Sequence, residues 1–322
     1  MLLKTITKNA FFVISTCLAV SMLGSCSIIS FGGSEGAPVD EAASPFEKPE
    51  VIAQISSPEI DESSGVAVSK CQKDVFWTHN DSGGGPFLYA FDSSGKSLGT
   101  WRLNGVRNID WEDMATVKAG DGNCYLYIGD IGDNQNRREV HAVYRVAEPK
   151  LTGETLSSTR KDPLLLTEFD TLKFRYTNGR HNAEAMMVHP GTKDIYIVTK
   201  NLNGPSEVFK LKPDFGSSEV QTAPPLATIS LPAIPNGFVT GADISPDGTS
   251  VVLCDYFSGF ELTLPSDASA FDDIWTQKLI AFDLGPRVVG ESVAYADDQN
   301  TVYATTENAK PPLIRVIRKS KK

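Results

Sequence analysis

Acidic side chains return at matching places along this chain. Glu112, Glu184 and Glu291 each stand at the head of a short apolar segment, and Asp81 and Asp130 each close the segment that follows such a head. Carboxylates gathered in one place repel one another unless protons or a cation offset them. A hard cation such as Ca2+ takes six to eight oxygens from carboxylates, carbonyls and water. The candidate ligands are Glu62, Asp81, Glu112, Asp113, Asp130, Asp133, Glu184, Asp243 and Glu291, with Asp255 and Glu307 nearby. The competing expectation is that these acids accept backbone N–H bonds at strand ends and bind nothing.

The densest stretch is Asp130-Ile131-Gly132-Asp133-Asn134-Gln135-Asn136-Arg137-Arg138. Its order does not match the EF-hand loop, which needs oxygen ligands at alternate positions and a distal Glu. Asn134, Arg137 and Arg138 are candidate ligand contacts, since guanidinium groups clamp carboxylate or phosphate through paired bonds. The arginines could equally pair with Glu112 or Asp113. Lys200 and Tyr256 join the ligand-binding candidates as an anion contact and a stacking surface. His79, His141, His181 and His189 lack the spacing of a zinc site, and no nucleophile elbow or P-loop is present. His79 is a candidate base, although a histidine at a strand end is more often structural.

The elements that must position these groups are strands. From Val51 onward, apolar alternations such as Tyr125-Leu126-Tyr127-Ile128 and Ser250-Val251-Val252-Leu253 are separated by Gly, Asp, Asn and Pro. Period-two patterning with turn signals indicates an all-β fold. A lead-in recurs five times: Ser64-Gly65-Val66-Ala67, Glu112-Asp113-Met114-Ala115, Glu184-Ala185-Met186-Met187, Gly241-Ala242-Asp243-Ile244 and Glu291-Ser292-Val293-Ala294. A period of about 50 residues with four strands per unit marks propeller blades. Too little chain follows Glu291 for a whole blade, so Val51–Ile55 is expected to complete the last one, which removes free sheet edges. The expectation is a single β-propeller of five blades closed by the N-terminal strand. The longest unit carries an insertion near Leu151 to Pro163; if it hides another blade, the count is six. Lead-in residues of a propeller gather at one mouth of its axial channel.

The chain opens with Lys4 and Lys8 around an apolar run from Ala10 to Leu23, followed by Gly24-Ser25-Cys26. A basic start and a short apolar stretch read as an export signal rather than a spanning helix. The ending resembles the bacterial lipobox, which implies removal of residues 1–25, lipidation of Cys26 and attachment to a membrane of the cell envelope. Residues 26–49 are rich in small and polar side chains and read as a flexible tether; residues 50–322 are the propeller. The formal charge of −10 argues against nucleic acid as partner. The basic tail from Arg315 to Lys322 reads as a solvated end. Cys254 lies in an apolar strand. Cys71 and Cys124 lie in matching turns of adjacent repeats and could approach, although their different offsets from the next strand also suit two reduced thiols.

Six segments carry a family resemblance: Glu62-Ser63-Ser64-Gly65, His79-Asn80-Asp81-Ser82-Gly83, Asp110-Trp111-Glu112-Asp113, Gly129-Asp130-Ile131-Gly132-Asp133-Asn134, Asn182-Ala183-Glu184-Ala185 and Ser245-Pro246-Asp247-Gly248. They resemble exported bacterial β-propellers of unassigned activity, broadly similar to TolB-like, NHL-like, phytase-like and SdiA-regulated propellers. The resemblance implies an envelope propeller. It does not extend to a full phytase or lactonase ligand set. Two functions follow as expectations. One is a membrane-anchored platform for a small-molecule or protein ligand with Ca2+ at the mouth. The other is a metal-dependent hydrolase of phytase-like or lactonase-like type, in which the cation activates water.

Overall fold

The structure, a computed structural model, describes Val39 and residues 44–320. The signal segment, Cys26 and most of the tether lie outside the described residues.

Five sheets are present, each led by one of the five repeated segments. Blade I runs Ser63–Val68, Phe76–Asn80, Phe87–Phe91 and Ser97–Leu103. Blade II runs Trp111–Lys118, Cys124–Asp130, His141–Ala147 and Asp170–Tyr176, and blade III runs Ala183–Val188, Ile195–Asn201, Ser206–Leu211 and Pro225–Ile229. Blade IV runs Gly241–Ile244, Ser250–Cys254, Ser258–Thr263 and Ile280–Asp283. Blade V runs Ser292–Tyr295, Thr301–Thr305 and Pro312–Ile317, and its fourth strand is the N-terminal Glu50–Gln54, antiparallel to Pro312–Ile317. The chain is thus a five-bladed β-propeller in which the first strand completes the last blade.

The inner strands touch in ring order, with Ser63–Val68 meeting both Trp111–Lys118 and Ser292–Tyr295. Sheet faces that are apolar on both sides need a neighbour on each side. Five apolar clusters supply this, one between each adjacent pair of blades. Trp77 and Trp101 of blade I meet Trp111 and Tyr144 of blade II. Ile60 and Phe76 of blade I meet Ala294 and Leu313 of blade V and close the circle. Among the described residues, five sheets with five such interfaces leave no sixth blade.

The insertion adds an edge strand instead. After His141–Ala147 the chain crosses to blade I, makes a short 3-10 turn at Thr155–Ser157, and lays Leu164–Leu166 parallel to Ser97–Leu103. It then returns as Asp170–Tyr176. Cys71 and Cys124 are bonded, with Cα atoms 6.0 Å apart, within disulfide reach. The bond joins the first turns of blades I and II on the face opposite the mouth.

Two composition-based expectations are corrected at the termini. Residues 44–49 are not part of a loose tether: Phe46 is buried, stacks on Phe282 at 4.2 Å and bridges to Arg318. Phe46 and the backbone bonds from Glu47 N–H to the Ile317 carbonyl and from Lys319 N–H to the Pro45 carbonyl fasten this segment. The basic tail is likewise paired, Arg315 with Glu50 and Arg318 with Glu261.

Candidate functional site

The lead-in residues sit where each inner strand begins, at one end of the channel. In blades I to III that point is a β-bulge, between Ser63 and Gly65, between Trp111 and Asp113, and between Ala183 and Ala185. A bulge adds one residue to one strand and re-aims its side chain. The added residues are Ser64, Glu112 and Glu184, so the local backbone turns these three out of the regular pleat.

Glu112 is the centre of the group. It is 3% exposed, and among the described residues its carboxylate accepts no hydrogen bond. Asp81 and Asp110 face it, with one oxygen of each of the three carboxylates within 4.8 Å of the others. Burial raises Glu112 well above the usual carboxylate range, and the charges of Glu184, Asp81, Asp110 and Glu291 add to it. Burial likewise lifts Asp81 to about 7, with Asp110, Glu307 and Glu184 contributing against the Ser82 amide. It lifts Asp110 to about 6, opposed by Arg138. Gly132 packs against the pair: a Cβ there would meet Glu112 Oε1 and Asp110 Oδ2, so a larger residue would push these two carboxylates aside.

The other half of the mouth holds its own cation. Lys200 Nζ lies 2.5 Å from Glu184 Oε2, 3.9 Å from Glu291 Oε1 and 3.2 Å from the Tyr256 hydroxyl. Phe238 and Tyr256 flank it, with ring centroids at 4.6 and 5.0 Å. Burial opposes the lysine charge, but Glu184 and Glu291 outweigh it and raise its pKa. Glu291 also accepts from Ser64 Oγ at 3.4 Å and shares a hydrogen bond with Glu307. Burial raises Glu307, and the charges of Glu62 and Glu184 add to this. Lys200 and Tyr256, expected as ligand contacts, are therefore committed to one another and to two glutamates.

Several expected ligands take other roles. Asp113 is fully buried and accepts backbone N–H bonds from Met114 at 2.8 Å, Met186 at 2.9 Å and Ala242 at 3.1 Å, which ties the inner strands of blades II, III and IV. Asp243 does the same for blades IV and V, accepting from Ile244 and Tyr295, each at 2.8 Å. Both carboxylates are spent on the backbone, so neither is placed as a cation ligand. Asp133 accepts from the Arg138 amide at 2.7 Å and braces its own loop. Asp130 pairs with Arg138 at 2.7 Å, and the same guanidinium donates to the Gly132 carbonyl at 2.7 Å. Arg138 is thus consumed inside the loop; Arg137 is exposed, and Asn134 accepts from Asn182 Nδ2 at 3.2 Å. Glu62 sits at the edge of the mouth, its pKa raised by burial and by Asp61. His79 is fully buried, its pKa lowered by burial to about 4, so it is a neutral core side chain and not a base at the surface.

Asp110 is the participant absent from the candidate list. It stands in the quoted Asp-Trp-Glu-Asp run, two residues before Glu112 and just ahead of the strand, so closeness in sequence was the only signal for it.

No family model matches the chain, and no curated protein matches it. Among solved structures it is similar to a chain of the crystal structure of a nidogen/laminin complex, at 13% identity over 76% of this chain and 72% of that one, with a TM-score of 0.41.

Proposed function

We propose that this propeller is an interaction platform whose channel mouth holds a hard divalent cation, Ca2+ being the ion whose demands the donor set suits. The carrying observation is the buried carboxylate of Glu112, which has no hydrogen-bond donor and is faced by Asp81 and Asp110. Three carboxylates with an oxygen each within 4.8 Å of the others suit a hard cation that takes oxygen ligands. The platform reading is favoured over hydrolysis because Lys200, Phe238 and Tyr256 fill the opposite half of the mouth, where a hydrolase would seat its substrate.

Titration of the chelated protein with Ca2+ while the melting temperature is followed tests this. A ligand that binds only the native state at about one hundred times its Kd adds about 2.7 kcal/mol, which is roughly 4 to 5 °C for a chain of this size. Glu112→Gln is expected to remove most of that gain. The gain should also fall below about pH 7, because Asp81 at about 7 and Asp110 at about 6 must lose their protons to bind. In the chelated protein these folded values lie above the unfolded one, so the stability they contribute is present at low pH and is lost as pH rises through them. His79 and His141, both lowered by burial to about 4, act in the opposite sense, but chiefly below the unfolded value of 6.5. Unfolded histidines still hold protons up to about pH 7.5, so the two senses largely cancel near neutrality, and the readable pH signal is the difference between the Ca2+-loaded and the chelated protein. A melting temperature indifferent to Ca2+ and chelator at pH 8 would sink the cation reading.

The platform is held on a membrane by acyl chains on Cys26, which bury methylenes in the bilayer. The basic and apolar sequence before Cys26 supports this. Cys26→Ala should move the protein from the membrane fraction to the soluble one, and the N-terminal peptide should lose its acyl mass. Unchanged partitioning would refute the anchor.

A further inference from the structure

The face opposite the mouth carries a second cluster of groups with ligand chemistry. The disulfide partners Cys71 and Cys124 meet Glu148 there, and one oxygen of its carboxylate lies within 4.8 Å of both sulfurs. Cys71 stands in the turn between Ser63–Val68 and Phe76–Asn80 and is exposed, whereas Cys124 opens Cys124–Asp130 and is buried. Glu148 follows the neighbouring strand His141–Ala147, and its backbone N–H donates to the Cys124 carbonyl at 2.8 Å. The three side chains thus come from two blades, and none belongs to the mouth.

The Glu148 carboxylate is held in place but only half satisfied. Its Oε1 accepts from Trp77 Nε1 at 2.8 Å and from Gln72 Nε2 at 3.1 Å. Its Oε2 is buried and, among the described residues, has no hydrogen-bond donor. Buried polar atoms are normally paired. A disulfide cannot supply the pairing, because it has neither a proton to donate nor a positive charge. A cation bound between the sulfurs and the carboxylate would.

We infer that Cys71, Cys124 and Glu148 form a zinc site once the bond between the cysteines is reduced. Two molecules of a thiol reductant leave as their own disulfide and pass on two electrons and two protons, so the S–S bond breaks into two thiols. Zn2+ then displaces both thiol protons to solvent and is held by two thiolates and one carboxylate. Three such anions repel one another unless a cation offsets them. Thiolates select a soft or borderline ion, whereas Ca2+ takes oxygen ligands, so this site and the mouth differ in the metal they choose. Zn–S bonds are about 2.3 Å long. The cysteine Cα atoms lie 6.0 Å apart, and the exposed Cys71 side chain can turn about its Cα–Cβ bond to part the sulfurs around the ion. Water completes the tetrahedron on that exposed side. Trp77 and Gln72 orient the carboxylate from behind, as hydrogen-bond donors do for metal-bound carboxylates.

Cobalt(II), a spectroscopic stand-in for Zn2+, tests this on the full chain after reduction with dithiothreitol, with the reductant and all metal then removed in the absence of oxygen. The reduced protein is expected to develop thiolate-to-cobalt absorption in the near ultraviolet that saturates at one equivalent and is displaced by Zn2+. The oxidised protein should not. The Cys71→Ser, Cys124→Ser double variant, which keeps Cys17, Cys26 and Cys254, should lose the absorption. Glu148→Gln keeps an acceptor for Trp77 and should weaken Zn2+ binding at least about tenfold, read by competition with a chromogenic chelator. Glu112→Gln should leave the absorption unchanged, so failure of the mouth reading and failure of this site are told apart. No absorption in the reduced wild type, its survival in the double variant, its loss in Glu112→Gln, or wild-type Zn2+ affinity in Glu148→Gln overturns the inference. So does a reduced protein that has lost its near-ultraviolet circular dichroism, because the site needs both blades folded.

Discussion

Asp113→Ala should lower the unfolding free energy by about 3 to 6 kcal/mol, the largest loss for any single side chain of the channel. The residue is fully buried, and its two oxygens accept the amides of Met114, Met186 and Ala242. Truncation leaves three buried N–H groups without a partner, each costing about 1–3 kcal/mol. They belong to the inner strands of three different blades, so the loss falls on the ring rather than on one sheet. Burial raises the pKa of Asp113 and the three amides oppose that rise, so the side chain serves as an acceptor whose worth lies in geometry. Asp113→Asn keeps one carbonyl oxygen but turns an amide toward a donor, and it should cost an intermediate amount. Chemical unfolding curves measure both. A loss for the alanine variant of less than about 1 kcal/mol would show that the blades are held by packing alone.

Removing the disulfide should come next in size. Cys71 and Cys124 are separated by 53 positions, and the bond joins neighbouring blades. Chain-entropy models assign a closed loop of that length about 4 kcal/mol, through restriction of the unfolded chain. The Cys71→Ser, Cys124→Ser double variant is expected to lose up to that amount, and reductant should bring wild-type protein to the same melting temperature. The Ca2+ response should persist, because the bond lies on the face opposite the mouth. A wild-type melting curve unmoved by reductant would contradict the assignment. Cys254 is buried in blade IV, with its thiol pKa pushed up by burial to about 11. It therefore has little thiolate with which to exchange.

The strands were legible because their signals are local. The alternation of Tyr125-Leu126-Tyr127-Ile128 and the recurrence of a small or acidic residue before each inner strand need no distant contact to be read. The positions 64, 112, 184, 241 and 291 mark the starts of the five inner strands to within a residue. The pairing of Glu50–Gln54 with Pro312–Ile317 followed from simple length, since the last repeat was too short to fill a sheet. The insertion was legible as extra chain. That it would run to the edge of blade I was not, because Leu164–Leu166 reads as a generic short strand with no mark of its partner.

What the acids do was decided in three dimensions. Glu112 and Asp113 are neighbours in sequence and similar in chemistry, and the sequence offers no means of ranking them as ligands. The bulge between Trp111 and Asp113 separates them: one carboxylate meets Asp81 from blade I and Asp110 from its own lead-in, and the other meets amides from blades III and IV. Lys200 was equally ambiguous until Glu184 and Glu291 closed on it from different blades. Patterning along a strand fixes which residues form it and which face is apolar, because period-two alternation is a property of neighbouring residues. Whether a buried carboxylate is neutralised by amides, by a lysine or by nothing in the chain depends on groups that only ring closure brings within a few ångströms.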